Sequence, residues 1–259
     1  MITIKNEAQI EGMRKAGKLL YEVLSTVRKA VVPGISTMEL NDLAEKLIRD
    51  GGATPSFLGY EGYPASLCTS IDEVVVHGIP SEDTILQEGS LISMDCGLCL
   101  NGWQADSALT VGVGRISDRD RELIETTEAC FFAGARQAVA GKRLGDIGSA
   151  VESLAHEHGF SVVRDLSGHG IGRDMHEDPY VYNFGFAGCG LPMRKGMTIA
   201  IEPMVCMGDW HVETDEEDGW CVRTRDGLKA SHYEHTVAIF EDRLPEILTL
   251  PGFVWKEEE

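Results

Sequence analysis

Apolar residues recur at Ile10, Met13, Leu20, Leu24, Val27 and Val31 with the three-to-four residue rhythm of one helix face, and Pro33-Gly34 closes the pattern. Ser36 and Glu39 have the spacing of a reciprocal capping box, which predicts a second, shorter helix ending at Gly51-Gly52. From about residue 55 the texture changes to glycine, aromatic and β-branched residues, and 74–76, 91–100 and 105–113 read as strands. Helical patterns over 118–140 and 146–158 follow, each closed by a glycine. Strand-like runs return near 162 and over 197–206, 221–224 and 233–240. The order helices, strands, helices, strands suggests two similar halves of an α+β fold. No residue-level repeat and no Ser/Pro/Gly-rich linker separates them, so one domain, 1–259, is expected.

Composition narrows the function classes. The chain has 259 residues, 43% hydrophobic and 25% charged, which suffices for a buried core, and no apolar run approaches the ~18 residues of a spanning helix. With 42 acidic against 23 basic residues the formal charge is −19, which repels phosphate backbones, so no DNA partner and no membrane are expected. Met1-Ile2-Thr3-Ile4-Lys5 carries no signal-peptide pattern, and a cytoplasmic location is expected. Seven cysteines without repeated spacing argue against a disulfide framework. Cys96-Gly-Leu-Cys99 has no second pair and lies in a strand-like run, where it is read as thiols on opposite faces rather than as a zinc or redox site. The acidic run at 213–218 reads as solvated surface.

Candidate chemistry begins with Asp95 and Asp106, charged residues inside otherwise apolar strand sequence. Asn101-Gly102 between them is a strong two-residue hairpin signal. That turn places Leu100 opposite Trp103 and Gly97 opposite Asp106, so Asp95 and Asp106 become a diagonal pair on one face, ~7–8 Å apart or less. Two carboxylates at that range repel and raise each other's pKa unless a cation lies between them, and a divalent metal is the natural answer. A solvent-facing hairpin is the competing reading, weakened by the apolar neighbours Ile92, Met94, Ala105, Ala108 and Leu109. His169, flanked by glycines that permit close backbone approach, is a further candidate. So are Glu202, held at a strand end by Pro203, and Glu234 in a β-rich run.

Together these residues resemble a known family, the type I methionine aminopeptidases of the pita-bread metallopeptidase fold. The resemblance covers essentially the whole chain. It is carried by Phe57-Leu58-Gly59-Tyr60-Glu61-Gly62-Tyr63-Pro64, Val76-His77-Gly78-Ile79-Pro80, Met94-Asp95-Cys96-Gly97, Asp106-Ser107-Ala108, Gly168-His169-Gly170-Ile171-Gly172, His176-Glu177, Ile201-Glu202-Pro203 and Tyr233-Glu234-His235-Thr236. It implies two pseudo-symmetric α/β halves with a central, mainly antiparallel sheet covered by helices. It also implies two divalent metal ions held by Asp95, Asp106, His169, Glu202 and Glu234, with Asp95 chelating one ion and Asp106 and Glu234 bridging both. Four carboxylates and one imidazole suit Mn, Fe, Co or Zn without selecting among them.

The activity implied is removal of N-terminal methionine from peptides and nascent proteins with a small second residue. In that scheme Glu202 passes on the proton of the attacking water, His176 hydrogen-bonds the developing oxyanion, and His77 contacts the scissile amide. On residue chemistry alone, His77 after an apolar strand equally fits a strand cap, and His176 before Glu177-Asp178-Pro179 equally fits a turn. The resemblance assigns the methionine side chain to Phe57, Tyr60, Tyr63, Cys68, Met175 and Trp220, residues that could also be ordinary core. Met175 stands where bacterial relatives commonly carry phenylalanine, which implies a more pliable pocket.

Only 25 residues (177–201) lie between His176 and Glu202, too few for the insertion of type II enzymes, and no zinc-finger extension is expected. The implied form is a bacterial-type cytoplasmic enzyme, expected as a monomer, whose transient contact with ribosomes would need a local basic patch. A proline-specific relative would need an additional N-terminal domain, a noncatalytic peptide-binding relative would have lost ligands, and a serine hydrolase would need a G-x-S-x-G elbow that does not occur.

Overall fold

In a computed structural model, which describes residues 2–256, Asn6 forms a capping box with Gln9 and starts α1 (Glu7–Ala30). Ser36 does the same with Glu39 for α2 (Thr37–Asp50). There follow β1 (Thr54–Pro55), β2 (Cys68–Ile71), β3 (Val74–Val76), β4 (Leu91–Leu100), β5 (Trp103–Gly112), α3 (Asp118–Ala135), α4 (Leu144–Glu157), β6 (Ser161–Val162), β7 (Gly168–Gly170) and β8 (Glu177–Val181). The chain closes with β9 (Thr198–Ile201), β10 (Met204–Cys206), β11 (Val212–Thr214), β12 (Val222–Thr224), β13 (Ala230–His232), β14 (Glu234–Ala238) and β15 (Glu246–Ile247).

Two helices are shorter than the periodicity predicts. Val31 is already extended, and Pro33 disfavours helical backbone at the residue before it, so α1 stops at Ala30. The third helix ends at Ala135 rather than 140: the N–H groups of 137–139 turn to carbonyls two or three residues back, a tightening that ends the α-helical ladder, and Ala140 N–H then donates to Phe240 O (3.2 Å). Pro203 splits the run at 197–206 into β9 and β10 and leaves Glu202 in the gap.

Every strand pair is antiparallel. The large sheet runs β1-β4-β5-β14-β9-β7-β8, with β2 also pairing β4 and β15 pairing β14. Apolar side chains of α1 and α2 pack with Ile92, Met94, Cys96 and Leu98 of β4. Those of α3 and α4 pack with Ile199, Ile201 and Val237 of β9 and β14. Two helix-covered halves therefore meet where β5 pairs β14. Residues of β4 alternate strictly: the even-numbered ones face the helices, and Asp95 and Gly97 face the opposite side. Cys96 and Cys99, three apart, fall on opposite faces, both as free thiols.

Candidate active site

The β4–β5 turn has Asn101 at φ 52° and Gly102 at φ 76°, the left-handed pair a two-residue hairpin requires. It sets Leu100 opposite Trp103, Gly97 opposite Asp106 and Asp95 opposite Ala108, the register read from the turn alone. Cys68 pairs with Asp95 on the other side, and Ala108 pairs with Glu234. Cys68, Asp95, Ala108 and Glu234 therefore form one row across four strands, with Asp106 two residues along β5. Continuing the β14–β9 register brings Glu202 opposite Glu234. Alanine in the middle of this row leaves the space into which the carboxylates converge.

His169 enters from β7. A Cβ at Gly168 would lie 2.3 Å from Ala200 O and one at Gly170 2.2 Å from Asp178 O, so only glycines let β7 sit this close to its neighbours. The ring's Nδ1 donates to Gly170 O (2.8 Å), which leaves the Nε2 lone pair facing Asp106 Oδ2 at 3.7 Å and Glu202 Oε1 at 3.6 Å. Asp106, His169 and Glu234 each offer one atom within 4.8 Å of the others.

Burial pushes the Asp95 carboxyl up to about 7, and burial with repulsion from its neighbours raises Asp106 and Glu234 well above the usual carboxylate range. Glu202 is raised by burial and by Asp95. His169 is pushed down to about 3 by burial and by the adjacent His176, so it is a neutral imidazole. Asp95 Oδ1, Asp106 Oδ1 and Glu234 Oε1 are buried without any hydrogen-bond partner. Orphaned anionic oxygens gathered round a neutral imidazole nitrogen are a cation-binding donor set, because a divalent ion satisfies the oxygens and cancels the repulsion that burial intensifies. The residues present fit such an ion.

This cluster floors a cavity of about 550 Å³. Its walls include Phe57, Tyr60, Tyr63, Cys68, His77, Met175, His176 and Trp220, so the structure brings together every residue singled out from the sequence. Phe57, Tyr63, Cys68 and Met175 are buried against one another, with Tyr60 and Trp220 packed beside them. Tyr63 donates to Gly78 O (2.9 Å) and meets Trp220 edge to face at 5.1 Å. His77 sits at φ 62°, a left-handed conformation uncommon for a residue with a side chain. Its ring meets Trp220 edge to face at 6.1 Å, and burial with the neighbouring His176 pushes it down to about 4. His176 Nδ1 bonds the Tyr60 hydroxyl at 2.8 Å and its ring lies 4.2 Å from that of His169.

Sequence reasoning missed several neighbours. Glu61 and Asp165 join the cavity lining, which contains no lysine or arginine among the described residues. Buried Asn183 donates to Glu202 O (2.9 Å). His232, fully buried, lies 3.8 Å from Glu234 Oε2 and forms a second group with Glu202 and Glu234. A signal was available for His232: it stands two positions before Glu234 in a β-rich run, the spacing that puts two side chains on one face.

Comparison with known proteins gives the family. Residues 11–241 match the model of metallopeptidase family M24. The chain is 51% identical to the methionine aminopeptidase of Clostridium acetobutylicum over 250 residues, covering 96% of this chain and 99% of that one. It is 44% identical to methionine aminopeptidase 1 of Mycobacterium tuberculosis, with 95% and 94% covered. The crystal structure of methionine aminopeptidase from Rickettsia prowazekii superposes with a TM-score of 0.94 at 40% identity, over 96% of this chain and all of that one. With a family match across most of its length and whole-chain relatives at this identity, the chain belongs to metallopeptidase family M24, among the methionine aminopeptidases.

Proposed function

We propose that this chain, acting as a single catalytic domain over 1–259, removes N-terminal methionine from peptides and nascent proteins whose second residue is small. Asp95, Asp106, His169, Glu202 and Glu234 would hold two divalent ions of Mn, Fe, Co or Zn, with Asp106 and Glu234 shared between them. When bound, such ions supply Lewis acidity that lowers the pKa of a water and polarises a carbonyl. Glu202 lines the cavity with its side chain 14% exposed, so its carboxylate reaches both the floor and the solvent-filled space. It takes a proton from the attacking water and returns it to the departing amine.

Desolvation at the cavity wall lowers the His176 pKa from the ordinary histidine value. With Nδ1 engaged by Tyr60, its Nε2–H faces the developing oxyanion. His77, fixed by its left-handed backbone and by Trp220, contacts the scissile amide. Phe57, Tyr60, Tyr63, Cys68, Met175 and Trp220 enclose the first side chain, and aromatic and sulfur-bearing walls suit a thioether. A lining rich in carboxylates and without lysine or arginine among the described residues favours the cationic N-terminus of an incoming peptide.

The observation that carries this reading is the convergence of three buried carboxylates, the half-buried Glu202 and His169, with three orphaned oxygens, at the floor of one cavity. Its test is metal content together with methionine release from Met-Ala-Ser against Leu-Ala-Ser and Pro-Ala-Ser. Metal-dependent release of the first residue is expected to be fast from the first peptide and poor from the other two, and metal-independent or equal cleavage of all three refutes it. No described helix is long and apolar enough to cross a membrane. The reading extends to a monomer in the cytoplasm whose ribosome contact is transient, since a formal charge of −19 opposes docking on RNA.

A further inference from the structure

His232 lies outside the roles assigned above. It is 1% exposed, and neither ring nitrogen has a hydrogen-bond partner. Its backbone is pinned, because its N–H donates to Thr110 Oγ1 (2.9 Å) and its carbonyl accepts from the same hydroxyl (2.8 Å). The ring itself is left without a partner in the interior, and an unsatisfied buried polar group costs about 1–3 kcal/mol. What it faces is carboxylate. Nε2 is 3.8 Å from Glu234 Oε2, and Glu202 offers an oxygen within 4.8 Å of both. Glu234 lines the cavity and His232 does not, so the imidazole stands behind the carboxylate.

We propose that His232 is a positioning residue for the metal centre, donating Nε2–H to Glu234 Oε2 so that this carboxylate keeps its bridging orientation. The proposal rests on Glu234 being a metal ligand. Closing 3.8 Å to hydrogen-bond length needs a shift of about an ångström. A ligating histidine is normally aimed by a hydrogen bond at its other nitrogen, as His169 is by Gly170 O. His232 has none at Nδ1. That contrast assigns it to the outer shell rather than to the ions themselves.

The test is calorimetric titration with Mn²⁺ and the visible absorption spectrum of the Co²⁺-loaded protein, for the parent, His232→Gln and His232→Leu. Loss of an outer-shell donor costs about 10- to 100-fold in metal affinity, which is expected for His232→Leu. His232→Gln, whose amide also donates, retains most of the affinity and the parent's Co²⁺ spectrum. If Gln loses as much as Leu and shifts the spectrum, His232 is a ligand and the proposal is overturned. If Leu binds Mn²⁺ as tightly as the parent, His232 is a spectator and the proposal is again overturned. Should His232→Leu fail to fold by circular dichroism, His232→Met, which fills similar volume without donating, takes its place. A parent that binds no Mn²⁺ refutes the metal site itself, a failure seen without any variant.

Discussion

The hydrogen bond between Tyr60 and His176 makes a quantitative expectation possible. Desolvation lowers the His176 pKa from the ordinary histidine value, which favours the neutral ring in which one nitrogen carries the proton and the other is a lone pair. Burial also pushes the Tyr60 phenol up, which keeps it a donor. At 2.8 Å the hydroxyl donates to Nδ1 and selects the tautomer with Nε2–H, the one able to meet an oxyanion. Tyr60→Phe keeps the ring in the pocket wall and removes that selection. A net hydrogen bond is worth about 0.5–1.5 kcal/mol, so kcat should fall roughly 2- to 13-fold while KM moves less. His176→Ala removes the donor itself and should lower kcat on the order of 10²–10³, with metal content unchanged. The assay is steady-state kinetics on Met-Ala-Ser for both single variants and the double variant, with metal measured in each. If Tyr60 acts through His176, adding Tyr60→Phe to His176→Ala has no further effect on kcat. The same fall in both backgrounds refutes the coupling, and a His176→Ala protein that loses its metal while keeping its rate per metal makes His176 a ligand.

Asp106→Asn should abolish turnover and metal bridging in a protein that stays folded, because an amide cannot supply two anionic oxygens; near-normal activity at full metal occupancy removes Asp106 from the site. Met175 is 5% exposed within the pocket wall, so Met175→Phe should sharpen the Met/Leu ratio of kcat/KM, and an unchanged ratio shows that Met175 does not touch the substrate. Norleucine peptides should be cleaved measurably and isoleucine peptides poorly, since apolar fit discriminates by only ~1–3 kcal/mol per methylene-sized change. Metal removal should be felt most at high pH. Asp95 is raised from about 3.8 to about 7, so its stabilising protonated form is complete below about 3.8 and lost as pH rises through about 7 in the metal-free protein. The gap in Tm between metal-loaded and metal-stripped protein should therefore widen from pH 5 to pH 8, and a constant gap refutes the assignment.

What the chain determined by itself is local. Asn6, Ser36 and their partners three residues on set helix starts, because a capping box needs only neighbouring residues. Asn101-Gly102 set the β4–β5 register, and with it the Asp95–Asp106 pair, because positive φ at two adjacent residues admits one turn and a strand period of two does the rest. Pro203 placed Glu202 at a strand end for a similarly local reason. Residues alone nominated His169, Glu202 and Glu234 but could not join them to that pair, and the family resemblance supplied the connection.

Tertiary structure decided the rest. The row from Cys68 through Asp95 and Ala108 to Glu234 depends on β5 meeting β14 across more than a hundred residues of chain, a pairing settled by packing two helix-covered halves together. The early end of α3 has this origin only in part: the N–H groups of 137–139 tighten onto carbonyls two or three residues back, and only Ala140 N–H is taken by a distant partner, Phe240 O. The orphaned state of His232 is invisible in sequence, because a histidine's need for a partner depends on which groups the fold leaves within reach of its ring.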